Sequence, residues 1–62
     1  MPFKKFRAWM AENKVTMKEL AKLLGKRPET ISHKLSGRYS FTWNEIEIIC
    51  SEYGISADLF LR

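Results

Sequence analysis

A very short connection between two predicted helices is the feature that most restricts how this chain can fold. The segment Gly25-Lys26-Arg27 separates two runs in which apolar residues recur at helical spacing. Gly25 can end the first helix in a left-handed conformation, and Pro28 is suited to the first position of the second helix. Because so few residues join them, the two helices must pack at a sharp angle.

Caps and apolar stripes divide the rest of the chain into further short helices. Thr16 and Thr42 are each followed three residues later by glutamate, which is the pattern of a capping box at a helix start. Pro2 is suited to a first helical turn, and Ser56 can cap a last turn over residues 57–61. No segment alternates with a period of two, so we expect an all-α fold of five helices. The predicted buried faces contain Phe3, Phe6, Trp9 and Met10, then Met17, Leu20, Ala21 and Leu24, then Ile31 and Leu35, and finally Trp43, Ile46, Ile49, Cys50 and Tyr53.

The composition favours one small domain, residues 1–62, without a metal or a disulfide. Of the 62 residues, 45% are hydrophobic and 13% aromatic, which is enough for one compact core. The single cysteine, Cys50, cannot form an intramolecular disulfide, and with only one histidine the chain cannot supply a structural zinc site. No apolar run approaches the roughly 20 residues of a membrane span, so we expect no membrane contact. We also expect no cofactor.

Charge is distributed unevenly along the chain. Residues 1–38 carry ten lysines and arginines and three glutamates, a net charge of +7. Residues 39–62 carry one arginine and four acidic residues, a net charge of −3, and the two parts together give the +4 of the chain. A basic half of this kind is suited to a polyanion.

The third predicted helix has a polar outer face that no core requires. At 100° per residue, Glu29, Ser32, His33 and Ser36 cluster opposite the two residues that this helix buries. A short polar helix flanked by cations is suited to the donors and acceptors of the DNA major groove. The alternative explanation is a solvated face on a small bundle. We expect no enzymatic activity, because His33 has no second carboxylate or nucleophile in a recognisable constellation around it.

The stretch TMKELAKLLGKRPETISHKLSGR, followed by FTWNEIEIICSEYGISADLF, resembles the phage repressor and Cro-type helix-turn-helix family. It is most similar to the short Cro-like proteins and repressors of phages of Gram-positive bacteria. The matching positions are Ala21, Gly25, Ile31, Gly37 and the closing GISADLF. The resemblance implies a compact five-helix, lambda-repressor-like domain, with the helix-turn-helix at about residues 16–37. It also implies binding to double-stranded operator DNA as a homodimer that represses transcription.

The resemblance further implies which residues contact DNA. Base contacts would come from Arg27, Glu29, Thr30, Ser32 and His33. Phosphate contacts would come from Thr16, Met17, Lys26, Lys34, Ser36 and Arg38, with backbone N–H groups binding the phosphate near Thr16 and Met17. In one departure from the family pattern, Met17 occupies a position that is often a glutamine touching the DNA backbone.

We expect the dimer interface in the acidic half, which DNA would repel. Its candidate residues are Ile48, Ile55, Leu59, Phe60 and Leu61. The interface would be small, so we expect the dimer to form chiefly on DNA. We expect no small-molecule effector, because the chain ends at the fifth predicted helix, and we expect action in the cytoplasm of a bacterial host, at the nucleoid. The alternative function is a protein-interaction module on the same fold, an antirepressor or an antitoxin-like partner.

Overall fold

The computed structural model describes residues 2–61, and the regular elements in that range are all helical. The four α-helices are α1 (Lys4–Glu12), α2 (Met17–Leu24), α3 (Pro28–Leu35) and α4 (Trp43–Tyr53). A single 3-10 turn, Ala57–Phe60, follows α4 and is called the carboxy-terminal turn below. The all-α prediction is confirmed, but the predicted fifth helix is only this turn, so the five-helix count is not matched. The predicted domain, 1–62, includes Met1 and Arg62, which lie outside the described residues.

The helix ends follow the local sequence at most positions. Gly25 and Gly54 have φ angles of 67° and 64°, and both close their helices in the left-handed conformation that glycine adopts without strain. Pro28 occupies the first turn of α3, as predicted. Pro2 does not do the same for α1, because Phe3 is the N-cap and the helix begins at Lys4.

The two predicted capping boxes form differently. At α4, the Glu45 N–H donates to the Thr42 hydroxyl at 3.1 Å and the Thr42 N–H donates to Glu45 Oε1 at 2.8 Å, so this box is complete. At α2, the Thr16 hydroxyl accepts from the Glu19 N–H at 3.1 Å, but the Glu19 carboxylate accepts from the Tyr53 hydroxyl at 2.6 Å. Glu19 therefore links α2 to α4 instead of closing the box.

The core is formed by apolar side chains from every helix and from the carboxy-terminal turn. Phe60 stacks on Phe6 with ring centroids 4.4 Å apart, which fixes the carboxy-terminal turn against α1. Trp43, which the sequence predicts to be buried, is 66% exposed at the first position of α4 and does not join this cluster. The buried members are Phe6, Met10, Leu20, Ala21, Ile31, Leu35, Phe41, Ile49 and Phe60. None of the helices within residues 2–61 combines the length and the apolar character that crossing a bilayer requires.

Candidate nucleic-acid interface

A short turn places α3 across α2 and leaves one side of α3 at the surface. Gly25 and Lys26 form the turn, with the Lys26 N–H donating to the Ala21 carbonyl at 2.9 Å. Ile31 and Leu35 are 0% and 2% exposed, so they anchor α3 on the core. No part of the chain that the structure describes covers the opposite side of α3 completely, so this side remains at least partly exposed.

The five predicted base contacts lie on this outer side or directly before it. Arg27, the N-cap of α3, is exposed, as are Glu29 and Ser32. Thr30 and His33 are half-buried. The structure thus brings these residues together on one short helix, and their contact with bases stays a prediction.

Tyr39 belongs beside this group, and sequence reasoning missed it. Its ring packs edge-on against the imidazole of His33, with centroids 5.5 Å apart and an interplanar angle of 81°. Tyr39 is 51% exposed. It lies beyond the glycine that follows α3, so helical spacing could not place it on the same surface. An exposed aromatic residue in a basic segment was the available signal.

Two of the predicted phosphate contacts are exposed cations at opposite ends of α3. Lys26 precedes the helix and Arg38 follows it. At the start of α2, Thr16 uses its hydroxyl oxygen as an acceptor for the helix cap and keeps its own proton to donate. Met17 is 40% exposed at the first helical position, where the backbone N–H has no acceptor within the helix. These positions fit phosphate contacts.

Lys34 does not fit the phosphate contact that the sequence predicted. It is 7% exposed, and its Nζ donates to Glu45 Oε1 at 2.9 Å and to the Ser40 carbonyl at 3.0 Å. The reason is helical spacing, because Lys34 lies three residues after Ile31, on the buried stripe of α3. Its cation is committed to an ion pair inside the protein.

The same ion pair alters the acidity of Glu45. Burial alone would raise the pKa of this carboxyl group, but the hydrogen bonds from Lys34 Nζ and the Thr42 N–H, with the positive charge of Lys34, hold the pKa below its ordinary value. Glu45 is therefore a charged partner for Lys34 at neutral pH. The pair joins α3 to the start of α4.

Ser36 and Phe60 also need correction. The Ser36 hydroxyl donates its proton to the His33 carbonyl at 2.9 Å, so it cannot donate to a phosphate while that bond is kept. Phe60, predicted at the dimer interface, is 8% exposed and part of the core. Of the other predicted interface residues, Leu61 is 61% exposed, whereas Ile48, Ile55 and Leu59 are half-buried.

Comparison with known proteins gives one match. A family model described as helix-turn-helix matches residues 6–60, which includes α2, the turn and α3 together with the carboxy-terminal turn. No curated protein and no solved structure matches the chain. The family match spans most of the 62 residues, and it agrees with the arrangement of α2 and α3. The chain therefore belongs to the helix-turn-helix family of DNA-binding proteins.

Proposed function

We propose that this protein binds double-stranded operator DNA through α3 as a homodimer and regulates transcription, as a phage Cro-like repressor. The observation that carries the proposal is the two-sided structure of α3. Its inner side is anchored by Ile31 and Leu35, and its outer side presents polar groups between the exposed cations Lys26 and Arg38. Membership of the helix-turn-helix family supports DNA binding and a role in transcription.

The outer side of α3 would read bases in the major groove. Glu29 can accept from cytosine N4, and His33 can bond guanine N7 or O6. Arg27, at the N-cap of α3, can bond the two acceptors of a guanine. The shorter Thr30 and Ser32 side chains would contact either kind of base pair at close range. The helix fits the groove because its outer side carries no bulky apolar residue.

Contacts to phosphates would fix the register of α3 in the groove. Lys26 and Arg38 would each neutralise a phosphate on either side of the helix. The free N–H groups at the start of α2, near Thr16 and Met17, would receive another phosphate at the positive end of that helix. We leave Lys34 and Ser36 out of the proposed footprint because their donors are engaged within the protein.

The proposed homodimer would use the half of the chain that DNA repels. Leu61 would be its central residue, since it is the most exposed of the candidates, with Ile48, Ile55 and Leu59 around it. Two copies must hold their α3 helices about 34 Å apart to enter successive major grooves. Such an interface would be small, so dimerisation would be favoured by DNA.

Replacing Leu61 by glutamate tests the dimer. A charge buried without a partner is costly, so Leu61→Glu should abolish cooperative binding to a palindrome and spare weak binding to a half-site. Circular dichroism should show an unchanged fold, because Leu61 is already exposed. Unchanged operator affinity in this variant would place the interface elsewhere or remove the dimer from the account.

A second candidate function is supported by Trp43. This tryptophan is 66% exposed, and large aromatic side chains are common at the centres of protein interfaces. It would suit a protein-interaction module, an antirepressor or an antitoxin-like partner. That function predicts that Trp43→Ala impairs the protein's effect in the cell while leaving its affinity for any DNA unchanged.

Selection from random double-stranded DNA, followed by mobility-shift titration, tests the proposed function. We expect enrichment of one palindromic sequence with half-sites about one helical turn apart, bound on the order of 1,000-fold more tightly than scrambled DNA. Enrichment of a single half-site would contradict the homodimer but not sequence-specific DNA binding. Failure to enrich any sequence would contradict operator binding and favour the interaction module.

A further inference from the structure

We propose that Tyr39 is a positioning residue for His33, so that a side chain beyond the end of α3 helps to set which base the helix reads. This inference rests on the proposed function, in which His33 contacts a base. Its starting point is the edge-to-face contact between the two rings, whose centroids are 5.5 Å apart. The family match does not assign this role to either residue.

The backbone after α3 holds Tyr39 next to the residue that its ring contacts. Gly37 has a φ angle of 88°, and its N–H donates to the Lys34 carbonyl at 3.1 Å. The Arg38 N–H donates to the His33 carbonyl at 2.9 Å, which completes a Schellman motif at the end of the helix. The Tyr39 N–H reaches the same carbonyl at 3.3 Å. Tyr39 is thus tied to His33 through the main chain as well as through its ring.

The hydroxyl of Ser36 adds a third donor to the His33 carbonyl, at 2.9 Å. This hydrogen bond gives Ser36 a structural role at the end of α3, where the family resemblance implied a phosphate contact. The Ser36 hydroxyl stabilises the turn that precedes Tyr39, and this turn places the Tyr39 ring against the imidazole of His33.

The segment on the far side of Tyr39 is anchored as well. The Ser40 carbonyl accepts from Lys34 Nζ at 3.0 Å, and the next residue, Phe41, is 8% exposed in the core. On the near side, Pro2 packs against Gly37 so closely that an added Cβ would lie 3.0 Å from Pro2 Cγ. Tyr39 therefore lies between two anchored residues, Gly37 and Ser40. A backbone movement that separated its ring from His33 would have to break the contacts of one of them.

An imidazole on an exposed helix would otherwise sample several orientations. The second side-chain torsion of histidine is broad and roughly two-fold, and the two ring nitrogens are chemically distinct. An edge-to-face contact restricts the plane of the imidazole ring, and so limits the directions in which its two nitrogens can point. Ordering His33 before DNA binds also reduces the entropy lost on binding.

The first arm of the test uses the free protein. His33 is the only histidine in the chain, so its imidazole signals in an NMR spectrum need no further assignment. We expect nuclear Overhauser contacts between the two rings and a single His33 rotamer. Tyr39→Ala should average the rotamers and shift the imidazole signals towards those of a free side chain. Tyr39→Phe should preserve them, and Trp43→Ala, which removes an exposed aromatic residue from α4, should leave them unchanged.

The second arm measures affinity for the selected operator and for variants of the base that His33 reads. Tyr39→Ala should weaken operator binding about two- to tenfold and reduce the preference at that base. Tyr39→Phe should bind within about twofold of the original protein, because it retains the ring. In a His33→Ala background, Tyr39→Ala should have no further effect on that preference. Tyr39→Leu serves as a second variant if the alanine variant melts at a lower temperature.

The outcomes separate the positioning role of Tyr39 from base reading by His33. Unchanged imidazole signals in Tyr39→Ala, or an equal loss of affinity with and without His33, would overturn the positioning role. Retention of the base preference in Tyr39→Ala, when His33→Ala loses it, would overturn the positioning role alone. If His33→Ala binds the operator as tightly as the original protein does, base reading by His33 fails and the role of Tyr39 fails with it.

Discussion

The two sides of α3 differ in what holds their polar groups. On the inner side, Lys34 is 7% exposed and its charge is neutralised by Glu45. On the outer side, Glu29 is exposed at the positive end of the helix, and His33 is half-buried. Lys34 and Arg38 are four residues apart, yet the first is paired inside the protein and the second is exposed. Lying near α3 therefore does not by itself make a cation accessible to a ligand.

The largest effect on stability should come from breaking the ion pair between Lys34 and Glu45 on the inner side of α3. Lys34→Met leaves Glu45 buried without its cation, and Glu45→Gln leaves Lys34 without its anion, so either should cost about 3 kcal/mol in the free energy of unfolding. The glutamine can still close the capping box with Thr42. The double variant should recover most of the loss. Urea denaturation measures all three, and a loss below about 0.5 kcal/mol in both single variants would show that the pair contributes little.

The same ion pair should make the stability of the protein depend on pH. Because the pKa of Glu45 is lower in the folded protein than in the unfolded chain, its contribution is fully present above about pH 4.5 and is lost as the pH falls through the folded value. The difference in stability between the original protein and Glu45→Gln should therefore narrow below that pH. A constant difference between pH 3 and pH 7 would contradict the assigned ionisation.

The next largest effect should be on the salt dependence of DNA binding, which distinguishes Arg38 from Lys34. If Lys26 and Arg38 each meet a phosphate in both subunits, log affinity should fall against log salt with a slope of about −4. Arg38→Ala should make the slope shallower by about two units, and Lys34→Met should leave it unchanged. A slope that changes with Lys34→Met and not with Arg38→Ala would reverse the comparison between the two sides.

The smallest expected effect concerns the charge of Glu29. Its carboxylate repels phosphates, so Glu29→Gln should tighten binding to random DNA by about two- to fivefold. The same change removes a negative charge from the positive end of α3 and should lower stability by about 0.5 kcal/mol. Glu47→Gln, an exposed carboxylate on α4, is the matched control and should change neither quantity appreciably. Weaker random binding in Glu29→Gln would argue against its place near the DNA.

Local patterns were sufficient to predict most of the helices. The glycine stops, Thr16 and the box at Thr42 depend on residues within one turn, and each has the predicted conformation. Two of the failures involve partners distant in sequence. Glu19 bonds Tyr53 across 34 positions, and Phe60 packs on Phe6 at the other end of the chain. Local spacing carries no information on such partners.

The candidate site could be predicted only in part. The outer side of α3 could be predicted because Ile31 and Leu35 define the inner side by spacing. The same spacing places Lys34 on the inner side, which is inconsistent with the predicted phosphate contact. Tyr39 could not be placed, because its position depends on the left-handed Gly37 and on the hydrogen bonds to the His33 carbonyl.

The most direct test of the central claim compares operator and random DNA for variants of the outer side of α3. If this side reads bases, Glu29→Ala and His33→Ala should each lose about 1–3 kcal/mol of binding free energy on the selected operator and little on random DNA. Their melting temperatures should show that α3 remains folded. Equal losses on both kinds of DNA, or no loss on either, would contradict base reading by α3.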